Sequence, residues 1–312
     1  WKRGYGYVDA EKTQEVTEET QFQAASISKV LSAYALMTLV ENNRFKLDMD
    51  LRAALAYLDI ENAYPGTYLS LRNLLKHKAE INYYQLKGYN RKAQIPTIED
   101  VLAGVPPAQN EKIKVVDEPY KTSKYSEGGY VLLEKLINER LKDRANPKPF
   151  QSLMEYGLFE NLNMKNSSVG QPKDTNKIAF GYDRTGKMLD GKFYIYPENA
   201  AGGVWSTPQD LSLFLYEVAS FRNYNNRLIK NKSLAEEFVT DGLGITYDSK
   251  KKIFGSFGRN EGYTSQFFFS LNNQYGLVIM CNSENGGPFM EDIYKLIEER
   301  FDRYKKTQQQ EE

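Results

Sequence analysis

Histidine and cysteine are almost missing from this chain: its 312 residues hold one of each, His77 and Cys281. One cysteine excludes an intrachain disulfide and says little about compartment. One histidine excludes a zinc enzyme built on several imidazoles, and any serine–histidine triad must use His77 or none. Excess charge of either sign is lacking too. Lysine plus arginine equals aspartate plus glutamate at 41 each, so no net field favours nucleic acid or an anionic membrane, and no long basic run makes up for it. The longest apolar stretch, residues 30–40, is broken by Ser32 and Thr38 and is too short to span a bilayer. The chain opens on Trp1 rather than methionine, which fits a start or signal segment removed or left out. What is present, 41% apolar and 26% charged residues, is the composition of a globular protein. Its length allows one large domain or one with an inserted subdomain.

The opening WKRGYGYVDA alternates apolar and polar residues and predicts a strand. QFQAASISKVLSAYALMTLVE predicts a helix that is apolar almost all round, hence buried, and that Asn42 and Asn43 are suited to end. Residues 47–199 are more polar, with short helical patterns such as SLRNLLKH and GGYVLLEKLINERL between loops rich in Pro, Asn and Gly. Ser206 or Thr207 can cap a helix beginning at Pro208. LGITYD, KIFGSF, TSQFFFSL and YGLVIMCN predict four strands whose short turns require antiparallel pairing. A last helix over residues 289–304 leads into a polar tail, 307–312. The reading is an α+β protein of one domain over 1–312. One antiparallel sheet is assembled from both chain ends (1–46 and 200–306) and flanked by helices, with a mainly helical lobe (47–199) beside it and a ligand cleft between them.

The buried helix begins with a hydroxyl and, three residues later, an amine: Ser26 and Lys29. Positions i and i+3 share a helix face, so the two side chains can meet, which adjacent Ser28 cannot match. A helix N-terminus offers unpaired N–H groups and a partial positive charge, both suited to attack that creates an oxyanion. The plain alternative is an N-cap serine and a lysine reaching solvent. Burial of the rest of the helix favours chemistry, because a buried lysine tends to lose its charge and a neutral amine beside a serine is a base beside a nucleophile.

FQAASISKVLSAYALMTLVENNRFKLD resembles the active-site helix of the serine β-lactamase and penicillin-binding-protein superfamily, in particular the class C β-lactamase-like serine hydrolases and esterases. KYSEGGYVLLEKLI is similar to that family's tyrosine motif, and AAGGVWSTPQDL, GYDRTGKMLDGKFYIYPEN and FGSFGRNEGYTSQFFF are similar to later landmarks in the same order. The resemblance implies the β-lactamase/transpeptidase-like fold and acyl transfer through an acyl–Ser26 intermediate on an ester, an amide, or a D-amino-acid peptide or β-lactam-like substrate. It implies a small-molecule or peptide acyl substrate, no cofactor, no metal, and export to the cell envelope. Oligomeric state stays open, as does whether water or an amine accepts the acyl group. Ser26 would be the nucleophile, Lys29 its base or hydrogen-bond partner and Tyr125 the proton shuttle. The backbone N–H groups of Ser26 and Arg259 would form the oxyanion hole, with Glu127, Ser256 and Gly258 in the substrate-binding motifs. The choice between Lys29 and Tyr125 as base stays open.

Two positions depart from the pattern. Glu127 replaces an asparagine, and a carboxylate there would pair with Lys29 and hold it protonated, opposing the neutral-lysine mechanism while favouring phenolate at Tyr125. Ser256 stands where histidine or lysine is common, so a carboxylate-bearing substrate would depend on Arg259, Lys76 or Lys78 for positive charge. His77, in a stretch resembling a family loop, reads as structural. Glu80 replaces a glycine and should take up positive φ poorly, reshaping that loop. These departures keep a second reading alive: a catalytically degenerate binding or scaffolding protein on the same fold.

Overall fold

The computed structural model describes residues 1–143, 148–223 and 225–311. The elements that build the site are, in chain order, strand β1 (Phe22–Gln23), helix α1 (Ile27–Glu41), α2 (Gly128–Leu141), β2 (Ser168–Val169), α3 (Asn199–Gly202), β3 (Val204–Ser206) and α4 (Pro208–Ala219). Then follow β4 (Thr246–Asp248), β5 (Ile253–Asn260), β6 (Tyr263–Ser270), β7 (Tyr275–Cys281) and α5 (Gly286–Glu311). Shorter helices at Arg52–Tyr57, Leu71–Leu75 and Ile98–Ala103, and helical turns across residues 149–160, fill the middle of the chain.

The four C-terminal strands form an antiparallel sheet in the order β7-β6-β5-β4. The β5–β6 hairpin turns through Glu261 and Gly262; Gly262 has φ +85°, which only glycine adopts without strain. Helix α4 packs on β6 and β7, and α5 on β6. Thr207, rather than Ser206, caps α4, its hydroxyl accepting from Asp210 N–H at 3.2 Å ahead of Pro208 at the first turn.

The single sheet expected from both chain ends is not what forms. β1 pairs with β3, and β3 with β2, in a separate three-stranded sheet. The opening residues 1–10 form no strand; their one ladder contact is a bridge from Tyr7 to Glu15. Gly6, at φ +72°, breaks the extended path that the alternation suggested. The last helix extends beyond residues 289–304, from Gly286 to Glu311, and takes in most of the polar tail; Glu312 lies outside the described residues. Among the described residues no helix is long and apolar enough to cross a membrane.

Helix α1 runs through the centre of the molecule, buried from Ile27 to Met37 and ended by Asn42, with Asn43 at φ +56°. It packs against α3 and β5. Tyr34 lies edge-on between Phe214 and Phe238 and donates to Glu217 Oε1 at 2.7 Å. Trp205 of β3 stands edge-on to Phe193 and Tyr263. Ser26, just ahead of the first turn of α1, is the residue at this end of the helix that reaches the cleft.

Candidate active site

Ser26 occupies the N-cap position of α1, yet its side chain makes no capping hydrogen bond. Its Oγ lies 2.8 Å from the Tyr125 hydroxyl and accepts from Lys29 Nζ at 3.3 Å. The plain N-cap alternative therefore fails on geometry. Ser28 has a different duty, accepting from Val204 N–H at 3.1 Å and so tying β3 to α1.

Lys29 is 3% exposed. Its ammonium donates to Ser26 Oγ and to Ala201 O at 2.7 Å, and forms an ion pair with Glu127 Oε2 at 2.5 Å. The ammonium also lies 5.1 Å from the Tyr125 ring centre and 5.8 Å from that of Tyr130. Burial pulls the Lys29 pKa down, but Glu127 and, less strongly, Tyr125 outweigh it, and the net direction is up. The neutral amine expected from burial alone is thus overturned by the partner at 127. At Tyr125, enclosure pushes the phenol pKa up, the Lys29 ammonium pulls it down and Glu127 pushes it up again; the net direction is up.

The turn carrying Tyr125 and Glu127 is fastened at several points. Ser126 N–H donates to His77 Nδ1 at 3.2 Å, and Ser126 Oγ donates to Asn82 O at 3.2 Å. Tyr83 O accepts from Glu127 N–H at 2.8 Å and Gly128 N–H at 3.2 Å. The His77 ring packs at 4.6 Å on Tyr125 and 5.4 Å on Tyr130. Burial, then the Lys29 charge, push His77 down to about 3, so it is neutral and its accepting nitrogen holds the turn. Glu80 adopts φ +50°, contrary to expectation. Its buried carboxylate accepts from Thr122 Oγ1, an anchor that a glycine would lack and that offsets the strain.

Strand β5 supplies the other wall. A Cβ at Gly258 would stand 2.7 Å from Ala24 O and 2.8 Å from Ser26 N, so only glycine lets β5 approach the start of α1 this closely. Asn260 and Tyr263 close the two-residue hairpin as a hydrogen-bonded pair, and pairs then alternate along the ladder. Arg259 falls at a non-bonded position, its N–H directed away from β6; β4 reaches back only to Gly255 and leaves that edge of β5 unpaired at 259. The Ser26 N–H, at the helix start, has no intrahelical acceptor. The two backbone donors expected at an oxyanion hole thus belong to the start of α1 and to the edge of β5 that approaches it.

These groups open into a cleft of about 780 Å³. Ser26, Tyr125, Glu127 and Arg259 line it as expected, together with Phe257 and Asn260 of β5, whereas Ser256 and Gly258 of the same strand do not. Lys76 is engaged in an ion pair with Asp241, and neither it nor Lys78 lines the cleft. Of the three cations expected to compensate, only Arg259 is in place. Tyr84, Arg184, Tyr196, Glu261 and Glu284 are among its other walls. Arg184 pairs with Glu284 at 3.2 Å. Sequence reasoning missed these walls as site residues, although Arg184 sits in GYDRTGK and Glu261 in NEGY, stretches singled out for other reasons.

The family model described as Beta-lactamase matches residues 1–300. A teichoic acid D-alanine hydrolase from Staphylococcus aureus (strain MRSA252) is 22% identical over 286 residues, covering 90% of this chain; the chain spans 66% of that relative's length. Among solved structures, the octameric penicillin-binding protein homologue from Pyrococcus abyssi superposes with a TM-score of 0.71 at 22% identity, covering 91% of this chain and 66% of that one. D-amino acid amidase from Ochrobactrum anthropi SV3, complexed with L-phenylalanine amide, gives 0.70 at 23% identity, covering 89% and 81%. The α+β fold is shared with both, and the match over residues 1–300 places this chain in the Beta-lactamase family.

Proposed function

We propose that the protein is a serine hydrolase of the class C β-lactamase-like type that transfers an acyl group through Ser26. The observation that carries this is the uncapped Ser26 hydroxyl held between Tyr125 and Lys29 at the mouth of a cleft. Ser26 attacks the carbonyl carbon of an ester or amide, and its proton passes to Tyr125 O. The tetrahedral oxyanion takes the N–H groups of Ser26 and Arg259. Its collapse expels the leaving group with a proton from Tyr125, and water releases the acyl group. Lys29, paired with Glu127 and donating to Ser26 Oγ and Ala201 O, serves as a fixed positive charge that favours phenolate, not as the base. The activities by which the relatives are named, teichoic acid D-alanine hydrolase and D-amino acid amidase, support a D-aminoacyl ester or amide as substrate. A cleft carrying Glu261 and Glu284 beside Arg184 and Arg259 suits such a substrate, which bears an ammonium and, on its leaving group, often an anion.

The direct test is incubation with a fluorophosphonate or a labelled penicillin, followed by peptide mapping. One adduct per chain on Ser26 is expected. No adduct with any acylating probe, or labelling elsewhere, would favour the binding or scaffolding reading.

The pH dependence follows from the Tyr125 shift. The base form is the deprotonated phenol and its pKa lies above the ordinary value of 10, so the acylation rate climbs with pH through the neutral range and has not levelled by about pH 10. Glu127 pushes Tyr125 up. Glu127→Asn therefore moves this ascending limb to lower pH and raises the rate at pH 7, as stopped-flow acylation across pH would show. An unchanged or lower rate at pH 7 would remove Glu127 as the brake on the phenol.

A further inference from the structure

Glu198 lies outside the acyl-transfer step just described, yet it is among the most enclosed charged residues of the described chain, at 0% exposure. Its Oε1 accepts from the Tyr83 hydroxyl at 2.7 Å, while Oε2 has no hydrogen-bond partner among the described residues. Tyr83 stands at φ +73°, a conformation that costs a non-glycine residue about 1–3 kcal/mol and persists only where its surroundings enforce it. The Tyr83 carbonyl is the acceptor for both Glu127 N–H and Gly128 N–H, the turn that carries Tyr125. The next residue, Tyr84, is a cleft wall. On its other side, the Glu198 carbonyl accepts from Ala201 and Gly202 N–H and so shapes α3, whose Ala201 carbonyl takes Lys29 Nζ. One buried residue thus reaches both halves of the site, by its side chain to the tyrosine turn and by its backbone to the lysine.

Resting on the acyl-transfer reading, we propose that Glu198 is a positioning residue: by holding the Tyr83 hydroxyl it fixes the left-handed turn at Tyr83 and, through it, the seat of Tyr125 beside Ser26. Burial pushes the Glu198 carboxyl up to about 7. Accepting the Tyr83 hydroxyl needs only a carbonyl-type oxygen, so the role survives protonation. The titratable groups that face this pair are Lys29, Glu127, Glu134, Tyr89 and Tyr196.

The test uses Y83F, E198A, E198Q and the double variant Y83F/E198A. Y83F and E198A are each expected to slow acylation of Ser26 by about 10- to 100-fold, the range for one hydrogen bond to a charged acceptor. The double variant is expected to be no slower than the slower single, because both remove the same tie. E198Q, whose amide oxygen still accepts, recovers most of the rate lost in E198A. A second readout does not depend on turnover: ultraviolet titration of Tyr125, with Y125F as the blank. In Y83F the phenol drifts from Lys29, whose charge pulls its pKa down, so its ionisation moves to higher pH, the direction opposite to that of Glu127→Asn. A merely structural role would lower the melting temperature and leave this titration in place. If E198A does not fold, Y83F and E198Q decide the matter. A Y83F variant with unmoved Tyr125 titration, or additive losses in the double variant, overturns the proposal. Absence of acylation in the unaltered protein counts instead against the acyl-transfer reading, and the titration still judges Glu198.

Discussion

Ser26→Ala is expected to abolish covalent labelling and to lower turnover of an ester or amide substrate by about 10⁶-fold, the loss seen when the nucleophile is taken from a group that acts as a unit. No neighbour can substitute. Ser28 is buried and committed to Val204 N–H, and Lys29 has no free lone pair while it pairs with Glu127. Tyr125 keeps its place but loses the alcohol it would deprotonate. The same substitution should leave folding almost untouched, because the Ser26 side chain caps nothing and its contacts are confined to Lys29 and Tyr125. Equal or slightly higher stability in denaturant, within about 1 kcal/mol, is the expected companion result, since active-site polar groups are commonly held at some expense to stability. Turnover persisting within tenfold of the unaltered protein would remove Ser26 from the mechanism. A large drop in stability would show that the hydroxyl serves the fold after all.

How much of this was legible beforehand depends on the kind of signal. The four C-terminal strands could be read because period-two patterning and short turns leave the chain few options, and all four formed within a few residues of where they were expected. The α1 segment was legible as buried because it is apolar on every side. The opening stretch misled because a short alternating pattern around Gly4 and Gly6 is as compatible with turns as with a strand. Pairing partners of two-residue strands were not legible at all: Phe22 pairs with Ser206 and Gln23 with Trp205, and nothing local encodes which distant segment completes the ladder.

At the site the distinction is sharper. Ser26, Lys29 and Tyr125 do meet, as spacing and resemblance led one to expect. The charge on Lys29 was undecidable from burial, because desolvation and the Glu127 carboxylate act in opposite directions on one ammonium. Only the 2.5 Å separation decides that the pair wins. Tyr84, Arg184, Tyr196 and Glu284 reach the cleft from separate segments, and no periodicity or spacing links them. Ser256 lies on the strand that forms one wall but is not among the residues lining the cleft, where Phe257, Arg259 and Asn260 of the same strand are.

Lys29→Met is expected to destabilise the protein by about 3–5 kcal/mol, since it leaves Glu127 as an uncompensated charge in the interior. Glu127 is 5% exposed, Lys29 3%, and their contact is 2.5 Å. The substitution also strips Ala201 O and Ser26 Oγ of a donor. Removing both charges should behave differently. In Lys29→Met with Glu127→Leu nothing charged remains to be desolvated, and stability should return to the level of the unaltered protein or above it, because apolar residues of similar volume commonly replace a buried ion pair without loss. Urea unfolding of the two single variants and the double variant gives the coupling directly. If Lys29→Met alone unfolds within about 1 kcal/mol of the unaltered protein, or if the double variant is no better than the single, the buried pair is not the electrostatic centre described above. If the cycle closes as expected, the pair is dispensable for folding. Its two members then act on the phenol in opposite directions: Lys29 pulls the Tyr125 pKa down, while Glu127 keeps that lysine charged and itself pushes the phenol up.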